Sequence, residues 1–226
     1  MNDTPPNGKP TESESLLVHL STDHTVPADA ETTVRRLRRT NLYLVGMMGC
    51  GKTTVGRLVA QKLGYQFFDT DALVEAATHQ TVAQIFAEQG EDRFRELETQ
   101  ILAELSSYAY GSLAIATGGG AVLRPQNWSY LHHGIVIWLD VPAEPLYYRL
   151  RHSTTRPLLQ DPDPRQRIQE LLDQRRPFYA QADVHVQLRG RESPEFVTAR
   201  VLEAIAQAIR PEAEDPEAQD PEAGAE

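Results

Sequence analysis

Five short apolar runs recur along this 226-residue chain, and each is followed by a longer stretch in which apolar residues return every three or four positions. The runs are NLYLV (41–45), QFFDT (66–70), LAIAT (113–117), IVIWLD (135–140) and VHVQL (184–188). Near-continuous apolar runs of this length are expected of strands covered on both faces. The helix-period segments lie at roughly 52–63, 71–77, 81–88, 91–109, 142–151, 164–182 and 191–209. Strand followed by helix, repeated, predicts an α/β domain with a parallel sheet between two helical layers. Right-handed crossovers then place the loops after the strands on one rim, where ligands bind.

The two ends of the chain lack this patterning. Residues 1–33 are rich in Pro, Thr, Ser and acids, and only SLLVHL offers an apolar cluster. Residues 211–226 repeat Asp-Pro-Glu-Ala with no large apolar side chain. Neither composition can bury enough surface to offset its ordering entropy, so both are expected to be disordered extensions of a domain spanning 34–210. The formal charge of −10 sits in these ends. Residues 211–226 carry seven acids and no base, and residues 1–30 carry five acids and Lys9. The remaining body is close to neutral, which argues against a nucleic-acid partner. No apolar run approaches the length of a membrane span, and no secretory or Arg-rich transit pattern opens the sequence. With Cys50 as its one cysteine, the chain cannot form an internal disulfide. A cytoplasmic protein with no membrane partner is expected.

The first run enters GMMGCGKT, which fits G-x-x-x-x-G-K-[ST] at Gly46, Gly51, Lys52 and Thr53. The pattern follows a strand and opens a helix, the context a phosphate-binding loop needs. Glycines let consecutive backbone N–H groups turn toward phosphate oxygens, and the helix N-terminus adds its positive end. Lys52 is then placed to reach the β- and γ-phosphates and Thr53 to ligate Mg²⁺. Gly49, Cys50 and Thr54 complete the loop's contact set. The absence of an Asn-Lys-x-Asp stretch argues against a GTPase.

The second run ends in FFDTD. In extended backbone Asp69 and Asp71 would face the same side, toward the phosphate loop. One could hold Mg²⁺ through water and the other accept a hydroxyl proton, but Asp71 could equally cap the next helix. Cys50 has two readings as well. Loop N–H groups and the Lys52 ammonium favour a reactive thiolate, whereas free cysteines usually turn inward as small apolar residues. The five histidines between 79 and 185 show no metal-ligand spacing, and Trp128 and Trp138 read as packing residues.

Taken in order, the phosphate loop, Asp-Thr-Asp, FRELE (94–98), GGG (118–120), RPLL (156–159) and RRPFY with AD (175–183) resemble shikimate kinase throughout residues 41–188. The resemblance implies a P-loop, nucleoside-monophosphate-kinase-like fold with five parallel strands in the order 2-3-1-4-5. It also implies a monomer that uses ATP and Mg²⁺ to phosphorylate the 3-hydroxyl of shikimate. By resemblance Asp69 contacts Mg²⁺, Asp71 binds the acceptor hydroxyls and acts as base, and Arg95, steadied by Glu98, binds the acceptor carboxylate with Arg175. Gly119 approaches the acceptor through its backbone. A lid near 149–160 brings Arg156 to the transferring phosphate, and Arg149, with Arg151 as the alternative, stacks on adenine. On residue pattern alone Arg95 reads as a helix-surface partner of Glu91 or Glu98, and Arg175 or Arg176 as a helix-terminal charge before Pro177. Two guanidinium groups are, however, what planar recognition of one carboxylate calls for.

Overall fold

The computed structural model describes residue 37 and residues 39–108, 111–151 and 162–209. The expected disordered ends, the SLLVHL cluster and most of the expected lid, including Arg156, lie outside the described residues.

Five parallel strands form one sheet in the order β2-β3-β1-β4-β5. They are β1 (Asn41–Val45), β2 (Gln66–Asp69), β3 (Leu113–Ala116), β4 (Gly134–Asp140) and β5 (Val184–Gln187). Each central strand alternates its side chains between two cores. Leu42 and Leu44 of β1 face one core with Ile137 and Leu139 of β4, while Tyr43 and Val45 face the other with Val136 and Trp138. The sheet is therefore sandwiched, as the apolar runs predict. The two outer strands depart from that expectation. The β2 strand has only Phe68 buried, and β5 alternates buried Val184 and Val186 with exposed His185 and Gln187. An edge strand has a neighbour on one side only, so continuous burial is lost there.

One face carries α1 (Lys52–Leu63), α5 (Ala143–Leu150), α6 (Pro164–Tyr179) and α7 (Pro194–Ala208), through residues such as Val59, Leu146, Ile168 and Val201. The other carries α2 (Thr70–Thr78), α3 (Val82–Ser106) and α4 (Pro125–Leu131), through Val74, Leu102 and Leu131. The α4 helix and the 3₁₀ turn before it (Ala121–Leu123) have no counterpart among the segments read from periodicity. At seven residues, α4 is too short for a helical repeat to show. Its start is nevertheless written as Pro125 at the first helical position. The α6 helix runs through Pro177 instead of ending before it.

Helix α3 spans 25 residues, but Gly90 inside it has φ 85° and ψ 170°. The periodicity there reads as two helices with a break at residues 89–90, and the kink falls on that break. Thr81 caps the first half through a reciprocal pair, its hydroxyl accepting from the Gln84 N–H while the Gln84 side chain accepts from the Thr81 N–H.

Candidate active site

The carboxyl ends of β1, β2, β3 and β4 form one rim, and among the cavities that the described residues line there, two meet beside the loop after β1. The first, about 510 Å³, is lined by the loop Met48–Val55 with Asp69, Asp71, Thr117, Gly119, Arg149, Leu188, Glu192, Pro194 and Val197. Gly46, Gly49 and Gly51 take φ of 138°, 78° and 108°, a region where side-chain-bearing residues are strained, and this lets the loop wrap around an empty centre. Helix α1 starts directly from that loop with no side-chain cap on its N-terminus. The first amides of α1 are thus left to an incoming acceptor.

Lys52 is 92% buried, and its ammonium donates to the carbonyls of Gly46 (2.9 Å) and Met47 (3.1 Å). Among the described residues no carboxylate lies within ion-pair distance of it. A desolvated cation held by two carbonyl oxygens and a thiol, beside uncapped helix amides, fits an anionic group such as a nucleotide's phosphates. The Cys50 sulfur is buried, 3.8 Å from the Lys52 nitrogen and packed among core residues. Of its two readings, the structure supports the inward-turned sulfur, and the solvent-open thiol is corrected. The loop curls so that the sulfur packs into the core although residue 50 also borders the first cavity.

Asp69 and Asp71 do not sit side by side in extended backbone. The β2 strand ends at Asp69, and Asp71 lies in the first turn of α2. The cap is Asp69, not Asp71. Its Oδ1 accepts from the N–H groups of Asp71 (3.1 Å) and Ala72 (3.5 Å), and its Oδ2 accepts from the Thr53 hydroxyl at 2.7 Å. Both carboxylates still line the first cavity, because a helix that starts there keeps its first turn on the rim. Thr53 and Asp69 form an oxygen pair suited to a hard divalent cation that keeps several waters. Among the described residues no group of three His, Cys, Asp or Glu side chains could hold a metal by themselves.

The second cavity, about 610 Å³, is lined by Asp71, Glu75, Phe86, Phe94, Arg95, Gly118, Gly119, Gly120, Arg167, Leu171 and Arg175, among others. Arg95 is not a surface pair. Its Nη1 donates to Glu98 at 2.9 Å, and Glu98 is fully buried. Its Nε and Nη2 donate to Glu91 at 3.2 and 2.9 Å. Burial opposes the charge on Arg95, but Glu98 and Glu91 outweigh it and raise the pKa above the ordinary guanidinium value. For Glu98, burial dominates and pushes the carboxyl up from its ordinary value of 4.5 despite Arg95.

The adjacent arginines of RRPFY diverge. Arg175 Nη1 reaches the Gly119 carbonyl (3.3 Å) and the Met47 sulfur (3.7 Å), placing its guanidinium in the second cavity. Arg176 turns away to Asp140 (3.1 and 3.4 Å), which also meets His185 Nε2 at 3.0 Å. Helix periodicity separates the two by about 100°, so only one of them can face the site.

The three glycines have distinct reasons to be glycine. A Cβ on Gly118 would overlap Glu98 Oε1 and lie 2.9 Å from Asp71 Oδ1. One on Gly120 would overlap the Arg95 guanidinium, and one on Gly119 would press on the Met48 N–H at 3.1 Å. The triplet thus leaves room for a carboxylate and a guanidinium on one side and for the phosphate loop on the other. Arg149 donates to the carbonyls of Gly49 (2.9 Å) and Gly190 (3.0 Å), joining the phosphate loop to the segment after β5. Arg151 lines neither cavity.

Several site residues escaped the sequence reading. Tyr179 donates its hydroxyl to the Gly119 carbonyl at 2.6 Å, and Thr70 accepts the Gly118 N–H at 2.9 Å. Arg167 lines the second cavity. Tyr179 was open to discovery from the RRPFY motif, since it lies one helical turn after Arg175. Thr70 lies within the Asp-Thr-Asp motif, where only the two acids drew notice, and nothing in the sequence around Arg167 signals a site. Met48, Asp71 and Gly119 line both cavities, so the two spaces meet at these residues.

The shikimate kinase family model matches residues 48–206. The shikimate kinase of Nostoc sp. strain PCC 7120 is 52% identical over 174 residues, covering 77% of this chain and 95% of its own. That of Thermosynechococcus vestitus is 53% identical over 176 residues, covering 78% and 95%. Among solved structures, a shikimate kinase from Acinetobacter baumannii in complex with shikimate superposes with a TM-score of 0.73 at 37% identity, covering 77% of this chain and 97% of that one. A gluconokinase from Sinorhizobium meliloti, 17% identical with a TM-score of 0.52, shares the fold.

Proposed function

The chain belongs to the shikimate kinase family, and we propose on that footing that it transfers the γ-phosphoryl group of ATP to the 3-hydroxyl of shikimate, a step of aromatic biosynthesis. The observation that carries the reading is the junction of the two cavities. One cavity is built for phosphates and the other for a carboxylate, and Asp71 lies where they meet. A donor and an acceptor seated in the two spaces would face each other across that carboxylate.

The loop amides and Lys52 bind and orient the donor phosphates. In-line phosphoryl transfer has a loose transition state, so positioning and charge neutralisation provide most of the catalysis. Lys52 supplies a desolvated positive charge beside the phosphates. Asp71 orients the acceptor hydroxyl and takes its proton late in transfer. Arg95, held rigid by Glu98 and Glu91, and Arg175, held by Gly119, grip the acceptor carboxylate from two helices. Arg149 borders the nucleotide cavity where the base would lie. Arg156 is assigned the transferring phosphate by resemblance alone. Mg²⁺, when bound, would neutralise phosphate charge, and Thr53 and Asp69 are the residues that would hold it.

The test is ADP release by the full chain, with ATP and Mg²⁺, against shikimate and a panel of hydroxy acids including gluconate. Shikimate-dependent turnover is expected, with a product carrying phosphate on the 3-hydroxyl by phosphorus NMR. Faster turnover on another hydroxy acid, or ADP release indifferent to the acceptor, would overturn the assignment.

A further inference from the structure

The acceptor cavity contains more charge than the two-arginine grip requires. Three guanidinium groups line it, those of Arg95, Arg167 and Arg175, together with the carboxylates of Asp71, Glu75 and Glu91. The charges are unevenly spread. The Arg95 charge is already matched by Glu98 and Glu91, both at 2.9 Å. Asp71 and Glu75 belong to α2 and Glu91 to α3, so an anion nearing these helices meets three carboxylates around one neutralised cation. That end of the cavity can grip a carboxylate once seated but does little to attract it.

The α6 wall differs. Arg167, Leu171 and Arg175 recur at four-residue intervals, which puts them on one face of the helix, and all three line the cavity. Arg175 has no carboxylate within ion-pair distance among the described residues. Arg167 is paired at 3.3 Å with Glu170, one turn along the same helix, and both side chains are more than two-fifths exposed. Exposed pairs of this kind are worth little and open at little cost. Two helical turns separate Arg167 from Arg175, about 12 Å along the axis, so Arg167 stands toward the outer part of this wall while Arg175 reaches the Gly119 carbonyl.

Resting on the reading that the acceptor is the shikimate anion, we infer that Arg167 is a third acceptor-recognition residue, a capture cation whose field draws the carboxylate along α6 to Arg175 and Arg95 and thereby sets the Michaelis constant. A charge at the rim of a site acts on encounter and on salt dependence more than on the chemical step. Arg167 therefore belongs to binding and not to phosphoryl transfer.

The experiment is steady-state kinetics of the full chain at saturating ATP and Mg²⁺, with shikimate varied at low and high salt. Arg167→Ala should raise KM for shikimate about fivefold, Arg167→Glu should raise it further, and Arg167→Lys should stay near the parent. Turnover at saturation should hold within about twofold, because the phosphate loop, Lys52 and Asp71 are untouched. The differences should shrink at about 0.5 M salt, where the screening length falls to a few ångströms. They should vanish with the methyl ester of shikimate, which lacks the negative charge. Arg93→Ala removes the same charge from an exposed residue outside both cavities and should leave KM unchanged. An unchanged KM in Arg167→Glu, or an equal loss on the methyl ester, overturns this inference while leaving the shikimate assignment intact. Failure of the parent protein to use shikimate at all would instead overturn the assignment.

Discussion

The nucleotide cavity and the acceptor cavity share a rim but are built by opposite means. The first is made largely from one contiguous stretch, Met48–Val55, and much of its chemistry lies in backbone amides, backbone carbonyls and glycine dihedrals. The second is assembled from side chains on α2, α3 and α6 and from the segment after β3, separated by up to about a hundred residues. Its polarity is held by a buried ion pair, Arg95–Glu98, whose partners were removed from water together. A backbone site tolerates side-chain changes that preserve its turns. A side-chain site of this kind depends on every member, because removing one partner strands a buried charge.

The sharpest way to separate the two is Gly118→Ala. The added methyl would overlap Glu98 and crowd Asp71, so the acceptor side should fail while the loop stays intact. Acceptor kcat/KM should fall about a hundredfold, the scale of an ångström-sized misplacement. Affinity for ADP, read by calorimetry, should stay near the parental value. Equal losses on both sides would mean that the cavities are not independent.

Arg149→Ala probes the converse. It breaks two exposed hydrogen bonds to carbonyls, each worth about 0.5–1.5 kcal/mol. ADP binding should weaken several-fold while KM for shikimate holds. A shift confined to shikimate would place Arg149 on the wrong side of the comparison.

The smallest effect is expected in the pH dependence of stability, read against Glu98→Gln, which keeps an acceptor for Arg95 but not the carboxylate's charge. Burial raises the folded pKa of Glu98 above its ordinary value of 4.5. A raised carboxyl favours folding when protonated, so its contribution is full below the unfolded value and is lost as pH rises through the folded one. The urea midpoint of the parent, relative to Glu98→Gln, should therefore decline across that interval and level off above it. A relative midpoint that climbs over the same range would mean that Arg95 outweighs burial.

The same contrast explains what the sequence could disclose. The phosphate loop and the Gly90 break were legible because local spacing encodes them, whereas the strand order was legible only through the family resemblance. Asp69 and Asp71 were found as a pair, but their geometry was misjudged, because whether a helix starts at residue 70 or 71 depends on one cap. Arg95 was ambiguous until its burial was known, since Arg-x-x-Glu on a helix looks the same whether exposed or enclosed. Cys50 shows the limit most clearly: its neighbours in sequence suggested an open thiol, and only the curl of the loop buries its sulfur in the core cluster that also holds Val55 and Leu139. Thr70 was passed over between two more conspicuous acids, and Arg167 carries no local signature, because their roles come from chain segments dozens of residues away.

The glycine triplet also constrains inheritance. A single base change that replaces a glycine by another residue always introduces a Cβ, as in alanine, serine, valine, aspartate or arginine. At residues 118 and 120 that atom would occupy space held by Glu98 and Arg95, so every one-step replacement of these two glycines leads into a collision. Descendants of this gene can drift at many surface positions, but here they can change only if the arginine–glutamate pair changes with them.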